Sequence, residues 1–197
     1  PGPVLVDVPM DIFSRKADVE IPNIAAFMAI GKRMRGDQRE IMRAVELLVQ
    51  AKNPLIYVGG GVILSEASDL VKKLAESLGA PVADSLMGKG VLRDDDALNT
   101  GMTGFWGTPT ANLLSRESDV ILAVGTRFAE ASSSSWIPRY TFDMKGTKVI
   151  QVDIDEEEMG KNYAVEVGIV GDARAVLEDV LSGVMNLKKG YKWEEDP

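Results

Sequence analysis

Residues 120–124, VILAV, are apolar at every position, and the run stops at Gly125. A strand with one wet face alternates apolar and polar side chains, whereas a strand covered on both faces is apolar throughout. This run therefore predicts a central strand of a parallel sheet packed between helices. In open α/β sheets ligands gather outside the carboxyl ends of the strands. Gly125, Thr126, Arg127 and Phe128 then stand where a ligand is held. From this stretch alone, Arg127 is either an anion-facing residue or an ordinary surface arginine.

The rest of the chain repeats the unit. Residues 54–58, PLIYV, predict a strand that runs into Gly59, Gly60 and Gly61 and then a helix from about Ser65 to Leu78, ended by Gly79. Such glycines allow a tight turn or the approach of backbone amides to an anion. The dinucleotide fingerprint asks for a further glycine where this chain has Leu64, so its third member is missing. Residues 81–84 predict the next strand, followed by Ser85, Leu86 and Met87, which either line a pocket or pack. The glycine-rich GMTGFWG, residues 101–107, offers Met102, Phe105 and Trp106 as a binding surface or as a contact with another domain. Thr108 caps a helix with Pro109 in its first turn. Strands follow at 148–152 and 167–170, the first ending at Asp153. Asp155 to Glu158 open a short helix, and a helix from about Asp172 to Leu181 is closed by Gly183. Upstream, Asp37 caps a helix on which Ile41, Val45, Leu48 and Val49 recur, and it ends before Pro54. Residues 129–146, rich in serine, are too long for an ordinary connection and predict a functional or interdomain loop, with a solvated run at Ser132–Ser135 as the plain reading.

The amino-terminal part is less regular. Residues 4–8, VLVDV, read as a strand, 11–23 as an extended connector, and 24–35 as a short helix or more connector in which Lys32, Arg33 and Arg35 form a solvated face. Alternation of this kind predicts an α/β fold, Rossmann-like, with about six parallel strands and helices on both faces.

Absences narrow the chemistry. The 197 residues contain no cysteine and no histidine, which removes disulfides, thiolate nucleophiles, Ser-His-Asp triads and Cys/His zinc sites. The 22 basic and 30 acidic residues leave a net charge of −8, which opposes binding to nucleic acid or to an anionic membrane, so an anionic ligand must be held by local donors. No apolar run approaches the roughly 20 residues of a membrane helix. Cysteine absence fits a reducing cytoplasm.

In register, PGPVLVDVPMD, NPLIYVGGGV, PVADSLMGKG, GMTG, AVGTRF, QVDID and GIVGDA resemble the central domain of thiamine-diphosphate-dependent enzymes of the acetolactate synthase type. The resemblance implies that residues 1–36 hold the end of the preceding pyrimidine-binding domain and a connector, 37–184 the central α/β domain, and 185–197 a charged tail. It implies a carboligase or decarboxylase acting on 2-oxo acids, a transferase or lyase whose thiamine diphosphate and Mg2+ belong to the full-length parent. The glutamate that activates thiamine and the metal-diphosphate motif of that family have no counterpart here, so the piece is expected to be inactive alone. The remaining thiamine-binding domains are its implied partners, in a cytoplasmic homo-oligomer.

In the acetolactate synthases the domain binds FAD. The turns that carry over are Gly59, Gly60 and Gly61; Ser85, Leu86 and Met87; Gly101, Met102, Thr103 and Gly104; Gly125, Thr126, Arg127 and Phe128; Asp153 and Ile154; and Gly171, Asp172 and Ala173. The resemblance implies Arg127 at the pyrophosphate, Asp153 at adenine or ribose, and Asp172 and Ala173 flanking adenine; Ser132–Ser135 and Trp136 border the flavin or another domain. Thr103 stands where many FAD-binding members have histidine, and Ala129 and Glu130 replace a pair of aspartates. The cofactor thus stays open between FAD, ADP and none, the last making the domain a structural spacer; a self-contained nicotinamide-dependent dehydrogenase is the other reading.

Overall fold

A computed structural model describes residues 3–24 and 33–190. The chain divides into two compact units, residues 1–32 and 33–197. In the first, α1 (Met10–Phe13) is a single turn, and residues 4–8 are exposed and form no strand. An apolar run becomes a strand only with a hydrogen-bonding neighbour, and none of the described residues pairs with it. Most of the ambiguous 24–35 stretch lies outside the described residues.

The second unit is built on one parallel sheet of six strands in the order β3-β2-β1-β4-β5-β6: β1 (Pro54–Val58), β2 (Val82–Asp84), β3 (Asn99–Met102), β4 (Val120–Val124), β5 (Lys148–Asp153) and β6 (Val167–Val170). The predicted α/β, Rossmann-like class is the observed one. Its strand count is completed by β3 rather than by residues 4–8. The NTGM of β3 has no apolar alternation to announce it, because as an edge strand it pairs only with β2 and leaves every residue half-buried.

β1 and β4 are aligned over five residues, from Pro54 opposite Val120 to Val58 opposite Val124, and all five residues of β4 are buried. Each face has its own core. Ile56, Val58, Leu122, Val124, Ile150 and Ile169 pack under α2 (Gln38–Gln50), α4 (Ser68–Leu78) and α6 (Ala173–Gly190). Leu55, Tyr57, Ile121, Ala123 and Val149 pack under α5 (Pro109–Glu117) and the aromatic residues Phe128 and Phe142. Burying a side chain of this size contributes about 1.5–3 kcal/mol, so a strand with two covered faces roughly doubles its contribution per residue over a half-exposed one.

Several ends follow their residue chemistry. Asp37 accepts from the Arg39 amide at the start of α2, and Thr108 accepts from the Ala111 amide with Pro109 inside the first turn of α5. Three expectations are corrected. The helix expected over 65–78 begins only at Ser68, as α4, and a separate turn, α3 (Gly60–Leu64), precedes it, because Glu66 takes a left-handed φ of 56° between them and no helix continues through that conformation. Gly183 does not close α6, which runs on to Gly190. A Cβ at Gly183 would lie 2.8 Å from Val45 Cγ2, so the missing side chain lets α2 and α6 approach. Leu187, expected in a charged tail, packs against the core as part of α6.

Asp84 ends β2 on the α4 side, 5% exposed, and its Oδ1 has no hydrogen-bond partner. Burial raises its pKa, the Lys89 ammonium opposes the rise, and Asp94 adds to it. A carboxyl raised on folding contributes stability that is complete below its unfolded pKa and lost as pH climbs through the folded value. Asp84→Asn is therefore expected to be the more stable chain at pH 7, by about 1 kcal/mol, and to flatten the decline between pH 4 and 7. Urea melts of both chains across that range check it; parallel pH profiles overturn it.

Candidate functional site

The strand order changes direction between β1 and β4: the chain leaves β1 toward β2 and leaves β4 toward β5. Such a switch point opens a crevice outside the carboxyl ends of the two strands. Two turns meet there. The Gly59 amide donates to Val124 O at 3.0 Å, the Gly61 amide to Gly125 O at 3.1 Å, and the Gly125 amide to Val152 O at 2.8 Å. A Cβ on Gly59 would lie 2.2 Å from Gly125 O, and one on Gly125 would lie 2.6 Å from Gly61 Cα. The glycines thus serve a contact of backbone on backbone, and Gly125 also needs its positive φ of 57°.

Arg127 projects from this junction. It is exposed, and among the described residues its guanidinium makes no hydrogen bond or ion pair; its carbonyl takes the Asn162 amide at 2.8 Å. Leu86, Met87 and Ile154 are exposed at neighbouring strand ends. Asp153 is half-buried at the end of β5. Burial raises its pKa, and the amides of Asp155 and Ile154 act against the rise. Cation, carboxylate and apolar side chains at successive strand ends match phosphate, hydroxyl and ring recognition.

Other expected site residues are turned inward. Phe128 is 2% exposed and packs tilted against Tyr57 and edge-to-face against Phe142 and Tyr163, at centroid distances of 5.2, 5.3 and 5.1 Å. Thr103, 1% exposed, donates to Ser132 O at 2.9 Å. Ser85 and Thr126 are buried and Met102 half-buried, and Gly101 packs against the Thr108 methyl. A Cβ at Gly104 would meet Ala131 O at 2.0 Å, and a Cβ at Gly60 would meet Met87 Cβ at 3.2 Å. The serine run is not solvated. Ser132, Ser133 and Ser134 are buried, with the Ser134 and Thr141 hydroxyls 2.7 Å apart, because the loop folds under onto Tyr57 and Thr103. Burial pushes the nearby Tyr163 hydroxyl up to about 12, with the Ser133 hydroxyl acting against it.

At the far end of the groove the Gly171-Asp172-Ala173 turn begins α6. Asp172 Oδ1 accepts from the Ala175 amide at 3.2 Å and both carboxylate oxygens accept from Arg33 Nη1, at 3.0 and 3.1 Å. Ser65 Oγ donates to Oδ2 at 3.0 Å. Burial pushes this carboxyl up, and the Arg33, Ala175 and Ser65 donors together hold it below the usual carboxylate range. Arg33 and Arg35, expected as a solvated face, are exposed, and they also pair with Asp172 and with Glu178 and Asp179. The signal that could have found them was the acidic residues at the start and on the outer face of α6, which complement the basic cluster. Among the described residues no group of acidic side chains is placed to hold a metal, and no helix is long and apolar enough to cross a membrane.

A parallel sheet in this order, covered on both faces and with glycine turns at its switch point, defines the class of Rossmann-like α/β domains. Residues 41–180 match the family of thiamine pyrophosphate enzymes over its central domain, and the chain belongs to that family. It is 37% identical over 198 residues to the acetolactate synthase large subunit of Haemophilus influenzae, covering all of this chain and 34% of that one. It is 38% identical over 201 residues to the acetolactate synthase of Arthrospira platensis, covering 98% of this chain and 33% of that one. The chain thus spans about a third of the length of these relatives. A solved structure described as a thiamin diphosphate-dependent enzyme from Mycobacterium smegmatis shares the fold, with a TM-score of 0.63 at 22% identity over 79% of this chain and 29% of that one.

The junction gives a paired test. Gly79 also has a positive φ, 65°, but open space where a Cβ would go. Gly79→Ala should cost about 1–2 kcal/mol for its left-handed backbone alone. Gly125→Ala should cost on the order of 3 kcal/mol or more, because overpacking is added to that strain. Denaturant midpoints of the two variants measure the difference, and equal losses would show that the close approach is soft.

Proposed function

We propose that this central domain holds an adenine nucleotide, as FAD or as ADP, across the β1/β4 crevice of a thiamine-diphosphate-dependent carboligase or decarboxylase acting on 2-oxo acids. The observation that carries the proposal is Arg127: a guanidinium without a partner among the described residues, beside a glycine-built turn at the switch point. Its planar fork suits a pyrophosphate. Asp153 suits ribose hydroxyls, and Leu86, Met87 and Ile154 suit a ring. Gly59, Gly60 and Gly61 keep the backbone low enough for such a ligand to lie across the strand ends. FAD, when bound, supplies redox-capable ring chemistry; the residues here bind and orient.

Thiamine diphosphate and Mg2+ belong to the other domains of the parent. This domain is by itself inactive and works within a cytoplasmic homo-oligomer. It carries no histidine or cysteine for acid-base or nucleophilic work. A second reading has its own support. The filled bonds of Asp172 suit a spacer whose groove takes no ligand.

Ligand that binds only the folded chain must raise its thermal midpoint with concentration. Titration with ADP, and separately with FAD, should give a saturable rise. Arg127→Ala should weaken whichever ligand binds by about 10- to 100-fold, the value of a hydrogen bond to a charged group. A midpoint unmoved by both ligands would favour the spacer.

A further inference from the structure

Two hydroxyls inside the core on the α5 side stand without a hydrogen-bond partner among the described residues. Ser133 is 0% exposed and its Oγ takes no bond; the hydroxyl of Tyr163 is buried as well, although the residue as a whole is half-buried, and it takes none either. The two lie close together, since the Ser133 hydroxyl acts on that of Tyr163 as a side-chain donor. Tyr57 stands near them, and its hydroxyl lies 3.4 Å from Thr103 Oγ1, long for a bond between two oxygens. The surrounding groups are already committed. Thr103 Oγ1 donates to Ser132 O at 2.9 Å, the Ser134 and Thr141 hydroxyls are 2.7 Å apart, and the Ser133 amide donates to Ala129 O at 3.0 Å.

A hydroxyl buried without a partner costs more than a hydrogen bond returns, and nearly all buried polar groups in folded chains are satisfied by protein or by ordered water. Two of them facing each other, with a third nearby, meet the condition for an internal water, which needs a polar site with two to four partners; an apolar site stays dry. We propose that Ser133, Tyr163 and Tyr57 form an internal hydration site that takes one water molecule beneath the loop after β4. Water donates twice and accepts twice, so it serves these hydroxyls whichever way their protons turn. The site braces the loop that carries Arg127. The Tyr163 ring packs edge-to-face on Phe128 at 5.1 Å, the neighbouring Asn162 donates to Arg127 O at 2.8 Å, and Ser133 directly precedes the positive φ of Ser134, Ser135 and Trp136. A water bridge from Ser133 to Tyr163 joins these segments and is one of the contacts that hold the strained backbone in place. The bridge needs no ligand in the crevice.

The test pairs a crystal structure of the wild-type chain, at a resolution that shows ordered water, with urea melts of Tyr163→Phe and Ser133→Ala. The expected result is one density peak within hydrogen-bonding distance of both Ser133 Oγ and the Tyr163 hydroxyl. Each variant removes one partner of that water and should fold with an equilibrium constant about two- to tenfold lower. Wild-type density with no peak there, or with the two hydroxyls bonded directly to each other, would overturn the site, and this reading does not depend on either variant folding. A peak accompanied by unchanged or raised stability in the variants would overturn its role as a brace, because removing a hydroxyl that holds nothing is neutral or stabilising.

Discussion

The contact on which this domain depends is one of peptide backbone against peptide backbone. Where β1 and β4 end, Gly59 and Gly61 lie against Gly125 so closely that a single methyl on either side has no room. Three amide–carbonyl hydrogen bonds of 2.8–3.1 Å tie the two turns to each other and to β5. The sheet supplies the force that brings them together, since β1 and β4 are its most deeply buried pair. The glycines permit that force to act to its limit. Anything held at the switch point is held over this floor, and Arg127 projects from its rim.

Around the floor, the inner surfaces are specialised. On the α2, α4 and α6 side the core is aliphatic. On the α5 side it holds the packed rings of Tyr57, Phe128, Phe142 and Tyr163. The loop after β4 closes over those rings. Phe128, Ser134, Ser135 and Trp136 all take positive φ without being glycine, a strain of order 1–3 kcal/mol per residue that persists only where surrounding contacts over-determine it. Those contacts are the Trp136 indole on Phe128 O at 2.9 Å and the buried hydroxyls of Thr103, Ser134 and Thr141. Strain therefore accumulates next to Arg127, at the rim of the crevice, while the sheet beneath it is regular.

How far the chain could be read in advance follows from where information is local. Strands β1, β4, β5 and β6 are apolar runs ended by punctuation, and Asp37 and Thr108 cap as their side-chain chemistry dictates; all were legible. The edge strand β3 was not, because NTGM owes its conformation to hydrogen bonds from β2. Residues 4–8 show the converse: their side chains suit a strand, but among the described residues no strand pairs with them. Glycine was the most ambiguous letter. Gly183 looks like a helix stop and is a helix–helix contact, and Gly104 looks like loop freedom and is a seat for Ala131 O. The candidate turns were legible as positions at strand ends. Their orientation was not: Phe128 and Thr103 point inward and Arg127 outward, which depends on the serine loop folding under rather than out.

Arg33 and Asp172 show the same limit from the functional side. They stand 139 positions apart, and neither is remarkable in its own stretch: one is a member of a basic cluster, the other a helix cap. Together they fasten the segment before α2 to the start of α6. The cap would exist without Arg33, since the Ala175 amide already satisfies one oxygen. The Ser65 hydroxyl likewise already donates to the second oxygen. Arg33 adds a charged donor to both oxygens and Met34 O takes the amide beside them, so the segment that leads into α2 is tied to the start of α6. The two turns are thus opposites: Arg127 is a cation without a partner among the described residues, and Asp172 is an anion with both oxygens accepting hydrogen bonds. Of the two, only the Arg127 end leaves a charge unfilled by the described residues, so the glycine-built turns at the β1/β4 switch point, and not the capped start of α6, mark the candidate site.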